Sequence, residues 1–236
     1  MQEEFSNNEF ENSSDDLISR YEEMVQEGKN YYFDVEDFEF ILDFYIDMNQ
    51  LGKAKNVVRY AFHLHPEALP LHVKKAKILL KNNSPKRALT VLENVQNIEM
   101  DNTELYQIKG HAYVLLNDLE SAKDQYNQAI ELIHDKEELV DILYGIAQTL
   151  QYQDQYKLAT QYLLKAYNHV SDYLFILYDL GYCFEKLGDS KQSLFYYKEY
   201  LEKDPYSDNV WFTLGRLNEE EGNVDEALEA YEFVHA

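Results

Sequence analysis

Apolar and polar residues alternate along most of the chain with the spacing of amphipathic α-helices. Apolar residues recur three and four positions apart, and mainly charged or amide residues fill the positions between them. One such apolar face carries Phe38, Ile41, Leu42 and Tyr45. A segment that favours a turn follows at residues 49–52, before the next helical pattern begins. The pattern predicts an all-α chain of short helices joined by tight turns.

Small residues recur at a fixed interval on every second predicted helix. They are 34 positions apart at Ala54, Ala88 and Ala122, and after a slip of three residues the interval resumes at Ala159, Ser193 and Ala227. A large residue stands four positions after each of them: Val58, Leu92, Tyr126, Leu163, Tyr197 and Tyr231. A two-helix unit of this length indicates stacked helical hairpins that contact chiefly their neighbours.

The last unit shows the motif most completely. Its first helix opens with Trp211-Phe212-Thr213-Leu214-Gly215, the pair Gly222-Asn223 makes the turn, and residues 225–231 begin the second helix. This order of aromatic, apolar and small residues resembles the tetratricopeptide repeat. The resemblance covers nearly all of residues 35–236 and implies a right-handed α-solenoid of stacked helix-turn-helix repeats.

The repeat pattern predicts the domain organisation. Six repeats are expected, the last of them incomplete: 35–68, 69–102, 103–136, 140–173, 174–207 and 208–236. A cap helix and linker are expected at residues 15–33, and an acidic mobile tail at residues 1–14. The three extra residues near positions 133–136 are expected to lengthen the second helix of the third repeat or its loop.

Particular residue types follow from how two helices of a repeat pack. Gly181 and Gly215 are expected where the first helix lies closest to the second, because a side chain there would separate the helices. Some positions depart from the pattern of the family without breaking a helix. Lys75 and Lys109 replace an inner Leu, and Asn218 replaces an aromatic residue.

Charge is distributed unevenly along the chain. The formal net charge is −23, which disfavours nucleic acids and anionic membranes as partners. Residues 1–48 carry fifteen acidic residues against Arg20 and Lys29, whereas residues 53–87 carry nine basic residues against Glu67. Two interpretations stay open: neighbouring repeats neutralise each other, or a partner contacts both regions.

The sequence offers little for catalysis or metal binding. It contains no Gly-rich phosphate loop, no nucleophile elbow and no paired-cysteine metal motif. His63 and His65 are two positions apart and would point in different directions on a helix. Cys183 lies among apolar residues, so we expect a buried, inert thiol. We therefore predict a protein that is not an enzyme and has no cofactor and no metal site.

The same features predict the cellular setting. The first residues lack the basic and apolar regions of a secretory signal, and no apolar run is long enough to cross a membrane. The single cysteine cannot form an internal disulfide. We expect a soluble, cytoplasmic protein.

The resemblance also implies a concave groove lined by the first helix of each repeat. Aromatic residues are suited to such a surface because they bury a large area with few rotatable bonds. The predicted partner-binding residues are Lys77, Lys81, His111, Tyr144, Gln148, Tyr152, Phe175, Tyr178, Tyr182, Phe212 and Arg216. For Tyr178 and Tyr182, packing within the repeats is an equally open alternative.

One family function is disfavoured at the start of the groove. Some members bind an acidic C-terminal tail through a carboxylate clamp, but Glu39 and Asp43 occupy the matching positions here and would repel it. Lys77 and Lys81 leave open a displaced site for an acidic peptide.

Three functions are compatible with these features of the sequence. The first is a non-catalytic scaffold or adaptor that binds a peptide segment of a partner protein in the groove. The second is a structural module that self-associates through an uncapped C-terminal repeat at residues 211–236, giving a homo-oligomer. The third is a regulatory arm of a longer protein that continues past Ala236.

Overall fold

The computed structural model describes residues 16–94, 102–171 and 173–234. Within these ranges the chain forms thirteen helices and no strand. They are α1 (16–27), α2 (Val35–Asp47), α3 (Leu51–Leu64), α4 (Leu69–Lys81), α5 (Pro85–Glu93), α6 (Thr103–Leu115), α7 (Leu119–Glu131), α8 (Lys136–Tyr152), α9 (Tyr156–His169), α10 (Leu174–Lys186), α11 (Ser190–Lys203), α12 (Asp208–Glu220) and α13 (Val224–Phe233). The predicted all-α fold is confirmed. The predicted tail at residues 1–14 lies outside the described residues.

Helices that are adjacent in sequence pack as pairs: α2 with α3, α4 with α5, α8 with α9, α10 with α11, and α12 with α13. Two compact units are present, one ending at Gln125 and the other starting at Tyr126. None of the helices within the described ranges is long and apolar enough to cross a membrane.

The turn inside each hairpin is closed by one residue with a left-handed backbone. These residues have φ between 51° and 79°, and they repeat with the same interval as the small residues: Asn49, Asn83, Asn117, Asp154, Gly188 and Gly222. The next residue donates its backbone N–H to the carbonyl five positions back, as from Gln50 to the Tyr45 oxygen at 2.7 Å. This arrangement satisfies a carbonyl that the helix end would otherwise leave unpaired. Gly, Asn and Asp occupy the position because they adopt positive φ most readily.

In the first unit, α1 covers the apolar face of the first hairpin. The buried Tyr21 ring lies 6.1 Å from the Phe33 ring and 6.4 Å from the Tyr45 ring, measured between centroids. The Glu22 carboxylate accepts hydrogen bonds from the Tyr45 hydroxyl at 3.0 Å and from the Lys53 amine at 2.7 Å. These contacts bury side chains of α1 in the same apolar cluster as the first hairpin.

In the second unit, two glycines allow close approach of paired helices, as expected. A Cβ added to Gly181 would lie 2.8 Å from the Tyr197 ring, and one added to Gly215 would lie 2.5 Å from the Tyr231 ring. The buried Ser193 hydroxyl donates to the Gly181 carbonyl at 2.9 Å and ties α11 to α10.

The expected position of the three-residue insertion is wrong. The helix α7 has 13 residues and is no longer than the other second helices α3, α9 and α11, and the insertion instead lengthens α8 to 17 residues. The cause is Asp135, whose carboxylate accepts the backbone N–H groups of Glu137 at 2.9 Å and Glu138 at 3.0 Å. This cap starts the helix at Lys136, four residues before position 140.

Candidate functional site

One aromatic residue recurs at the same position of three successive hairpins in the second unit. Tyr144 of α8, Tyr178 of α10 and Phe212 of α12 are separated by the 34-residue interval of the repeat. With Phe175, one turn before Tyr178 on α10, they are called the aromatic surface below. Phe175 is 42% exposed, Tyr178 38% and Phe212 54%, whereas Tyr144 is half-buried. Large apolar side chains with this exposure are not core residues.

The rings of the aromatic surface are held by their neighbours. The Tyr144 and Phe175 centroids are 4.5 Å apart, which joins α8 to α10. Tyr178 lies 5.8 Å from Tyr197, and Phe212 lies 5.8 Å from Tyr231. Tyr197 and Tyr231 are the same rings that contact Gly181 and Gly215 from the second helix. The exposed rings are therefore supported from beneath and presented in fixed orientations.

The structure clarifies the two tyrosines for which packing was an alternative. The Tyr178 ring packs on Tyr197 and lies 6.2 Å from Tyr200, while part of it stays exposed. Tyr182 is half-buried, with its ring 6.0 Å from Tyr156 and the Lys186 amine 5.1 Å above it. Tyr182 thus makes mainly intramolecular contacts.

Polar residues border the aromatic surface. Gln148 and Tyr152 follow Tyr144 along one face of α8, and both are exposed. Arg216 of α12 is fixed by two carboxylates: one guanidinium nitrogen is 2.7 Å from Glu185 on α10, and another is 2.7 Å from Glu220. This pairing neutralises Arg216 and also links α10 to α12.

Asp179 is a residue of this site that the sequence interpretation missed. Its carboxylate interacts with the Tyr144 hydroxyl and with Gln151. Burial raises the pKa of Asp179, although both hydrogen bonds act in the opposite direction. Burial and the Asp179 charge raise the pKa of Tyr144 to about 12, so the hydroxyl is a neutral donor at pH 7. The sequence signal that could have identified Asp179 is its position, one helical turn after Phe175 and directly after Tyr178.

Cys183 lies on α10, the helix that also carries Phe175 and Tyr178. It is buried, and the Gln151 side-chain amide donates to its sulfur at 3.2 Å. Burial raises the pKa of the thiol to about 11, so the reactive thiolate is scarce at neutral pH. The prediction of a buried thiol is confirmed.

The predicted residues of the first unit form a different kind of site. Lys74, which the sequence interpretation missed, is buried on α4, and its amine lies 2.9 Å from Asp43 and 3.5 Å from Glu104. Lys77 shares the same carboxylates at 3.7 and 3.9 Å. The pKa of Lys74 is raised although burial alone would lower it, because these carboxylates stabilise its charge. Lys77 is thus already paired within the protein.

The remaining two predicted residues of the first unit stand apart from that cluster. Lys81 is exposed and donates to the Ile46 carbonyl at 3.1 Å. His111 is half-buried, and burial lowers its pKa. Within the ranges that the structure describes, no group of three or more His, Cys, Asp and Glu residues is arranged to hold a metal ion.

Solved structures with the same arrangement of helices include several repeat proteins. YrrB, described as a TPR protein with an unusual peptide-binding site, is 21% identical over 75% of this chain and 90% of its own, with a TM-score of 0.50. PilF of Pseudomonas aeruginosa is 14% identical over 83% of this chain and 87% of its own, with a TM-score of 0.59. A chain of the APC/C heterotetramer Cut9–Hcn1 is 14% identical over 86% of this chain and 40% of its own, with a TM-score of 0.57.

Sequence comparison gives the family directly. None of the curated proteins matches the chain. A family model described as tetratricopeptide repeat, however, matches residues 59–234, which is most of the sequence. Together with the paired helices and their 34-residue interval, this match shows that the chain belongs to the tetratricopeptide repeat family.

Proposed function

We propose that this protein is a non-catalytic interaction scaffold whose aromatic surface binds an extended segment of a partner protein. The observation that carries the proposal is the recurrence of a partly exposed aromatic side chain at one position of three successive hairpins. The fold supports it, since YrrB has a peptide-binding site on the same arrangement of helices. The cytoplasm is the proposed setting, because Cys183 is a free thiol.

Recognition would rest on apolar burial at fixed positions. Tyr144, Tyr178 and Phe212 are spaced by whole repeats, so apolar side chains at intervals along a partner segment would meet successive rings. The rings are held from beneath by Tyr197 and Tyr231, so binding orders few side chains of the scaffold. Removing an aromatic residue from the centre of an interface costs about 2–4 kcal/mol, or roughly 30-fold or more in affinity.

Charge at the site indicates which segment fits best. Asp179 contacts Tyr144, and Glu185 and Glu220 both pair with Arg216, so three carboxylates stand with one cation beside the aromatic surface. A partner segment with apolar residues flanked by Lys or Arg is therefore favoured over an acidic one. Gln148 and the Asp179 carboxylate would fix its orientation by hydrogen bonds.

The test compares two double variants in partner capture. Tyr144→Ala with Phe212→Ala removes two rings of the aromatic surface, and Tyr32→Ala with Tyr206→Ala removes two exposed tyrosines elsewhere. Proteins captured from the native lysate should be lost from the first variant and kept by the second. Circular dichroism and a urea titration confirm that both variants fold. Equal capture by the two variants would show that this surface is not the binding site.

A second candidate function is self-association through α13. Val224 and Leu228 are well exposed and one turn apart on α13, and Phe233 is exposed although its ring stacks 4.4 Å from Trp211. An exposed apolar stripe of this kind fits a second copy of the chain. Sedimentation of wild type and Leu228→Glu tests it: an assembly that the substitution dissociates supports self-association, and a concentration-independent wild-type monomer contradicts it.

A further inference from the structure

A cavity of about 660 Å³ opens between α3, α4 and α5, on residues that the aromatic surface does not use. All of its lining residues belong to the first unit. Its walls carry four basic side chains, Lys55 and Arg59 of α3, Lys75 of α4 and Arg87 of α5. We call it the cationic pocket. Its floor is apolar and is formed by Val58, Phe62, Ile78 and Leu79.

The pocket lies at a position where Lys75 replaces an apolar packing residue. The equivalent residues in four of the other five repeats are apolar and buried: Ile41, Ile146, Leu180 and Leu214. Those side chains fill the gap between one hairpin and the next. Lys75 instead extends over the Phe62 ring, with its amine 4.8 Å from the ring centroid.

The charges of the pocket are not balanced within the described part of the chain. None of its lining residues is acidic, and no described carboxylate forms an ion pair with any of the four basic side chains. Lys55 donates to the Asn82 side-chain oxygen, at 3.1 Å. Lys74 and Lys77, which point away from the pocket on the same helix, are by contrast paired with Asp43 and Glu104. Four cations that have no ion pair among the described residues, in a protein of net charge −23, are suited to a negatively charged ligand.

We propose that the cationic pocket binds an acidic segment of a partner protein in which an apolar side chain is flanked by Asp or Glu residues. The apolar side chain enters between Val58, Phe62 and Ile78, and the carboxylates reach Arg59 and Arg87, which are both exposed. The arginines can each hold a carboxylate through two parallel hydrogen bonds. The apolar floor distinguishes this occupant from an inorganic anion, which has nothing to bury there.

The proposal is independent of the aromatic surface, and it reverses the charge preference. The pocket lies on second helices and on the opposite face of α4 from Lys74, whereas the aromatic surface lies on first helices of the other unit. The aromatic surface favours a basic flank and the pocket an acidic one. One chain could then hold two different partner segments, which is the role of an adaptor.

The test measures binding of a fluorescent peptide, EEFEE, by anisotropy at low and moderate salt. We expect binding by wild type, weakening as salt rises because surface charges are screened over about 10 Å at 0.1 M salt. Replacing the central Phe, in EEGEE, should weaken binding at least tenfold, and reversing the charges, in KKFKK, should abolish it. Inorganic phosphate in excess should not displace EEFEE.

Matched variants locate the site. Arg59→Glu with Arg87→Glu should weaken EEFEE binding at least tenfold. Lys157→Glu with Lys191→Glu makes the same change of net charge at exposed residues outside the pocket and should leave binding unchanged. The double variant lacking Tyr144 and Phe212 should also bind EEFEE normally, so that failure of one proposal does not decide the other. Circular dichroism checks that each variant folds.

Several outcomes would overturn the proposal. No binding of EEFEE by wild type, or equal loss in the two charge variants, would remove the pocket as a peptide site. Binding of EEGEE or phosphate as tight as EEFEE would assign it to small anions. A wild-type dimer that Arg59→Glu with Arg87→Glu dissociates would make a second copy of the chain the occupant.

Discussion

Gly181 of α10 and Tyr197 of α11 are so close that a Cβ on residue 181 would lie only 2.8 to 2.9 Å from three atoms of the buried ring. Tyr178, three residues before Gly181 on α10, packs against the same ring, with the two centroids 5.8 Å apart. One pair of residues thus couples the packing of the hairpin to the presentation of an exposed aromatic side chain. The Tyr197 ring therefore contributes both to the packing of the hairpin and to the candidate site.

Gly181→Ala should therefore lower the free energy of unfolding by about 1–3 kcal/mol, because the added methyl group overpacks the interface. Gly145→Ala is the control, since residue 145 is an exposed helical glycine with nothing within 4 Å of an added Cβ. The control should be neutral or stabilising by up to about 1 kcal/mol, from helix propensity alone. Urea denaturation followed by circular dichroism measures both, and equal effects would contradict the close approach.

The left-handed turn residues give a stabilising prediction. Asn117 has a φ of 59° and is exposed between α6 and α7. Asn117→Gly should raise the free energy of unfolding by up to about 1 kcal/mol, because glycine adopts positive φ without steric strain. Asn117→Val should lower it by about 1–2 kcal/mol for the opposite reason. Thermal unfolding of the three proteins checks this order, and a different order would show that the turn is not strained.

Asp179 gives a pH-dependent prediction. Burial raises its pKa in the folded protein above that of the unfolded chain, so folding disfavours the ionised form. The resulting loss of stability is fully present at neutral pH and disappears as pH falls through the raised pKa. Asp179→Asn should therefore raise the urea midpoint at pH 7 while keeping a hydrogen-bonding group beside Tyr144.

The difference between wild type and Asp179→Asn isolates this group from the many other carboxylates. It should shrink as pH is lowered from 7 toward 4, the region in which Asp residues gain protons. A difference that stays constant, or a variant that is less stable at pH 7, would mean that the hydrogen bonds of Asp179 outweigh its burial.

Cys183 should resist alkylation in the folded state. Burial raises the pKa of its thiol from 9.0 to about 11, which reduces the thiolate fraction about 100-fold at pH 8. Labelling with iodoacetamide should be at least that much slower for the native protein than for the protein in denaturant. Mass spectrometry after timed quenching measures both rates, and comparable rates would place the thiol at the surface.

The sequence was most informative where a signal is local and periodic. The small residues at Ala54 and Ala88 and the large residues four positions later predicted paired helices, because each position contacts only its own hairpin and the next. Positions 144, 178 and 212 were likewise assigned to one face of successive first helices. Exposure of Tyr178 could not be decided, since a tyrosine at that spacing suits both packing and binding.

Ion pairs between side chains of different repeats could not be predicted from the sequence. Lys74 appears in the sequence as one cation of a basic segment, and its carboxylate partners come from α2 and α6. Sequence alone could not show that Lys77 pairs with Asp43 and Glu104, whereas Arg59 and Arg87 form no ion pair with any described carboxylate. The cap at Asp135 was a local signal in the sequence, and the expectation of a regular repeat obscured it.

Lys75, at a position that is apolar in four of the other five repeats, shows how one position of a repetitive protein can change its chemistry while the fold is kept. Each hairpin contacts mainly its neighbours, so the loss of one packing side chain weakens a single junction and leaves the others unchanged. A chain with one global core would be destabilised throughout by the same change. Individual repeats can therefore diverge one at a time, each offering its own chemistry, while the backbone that presents them stays the same.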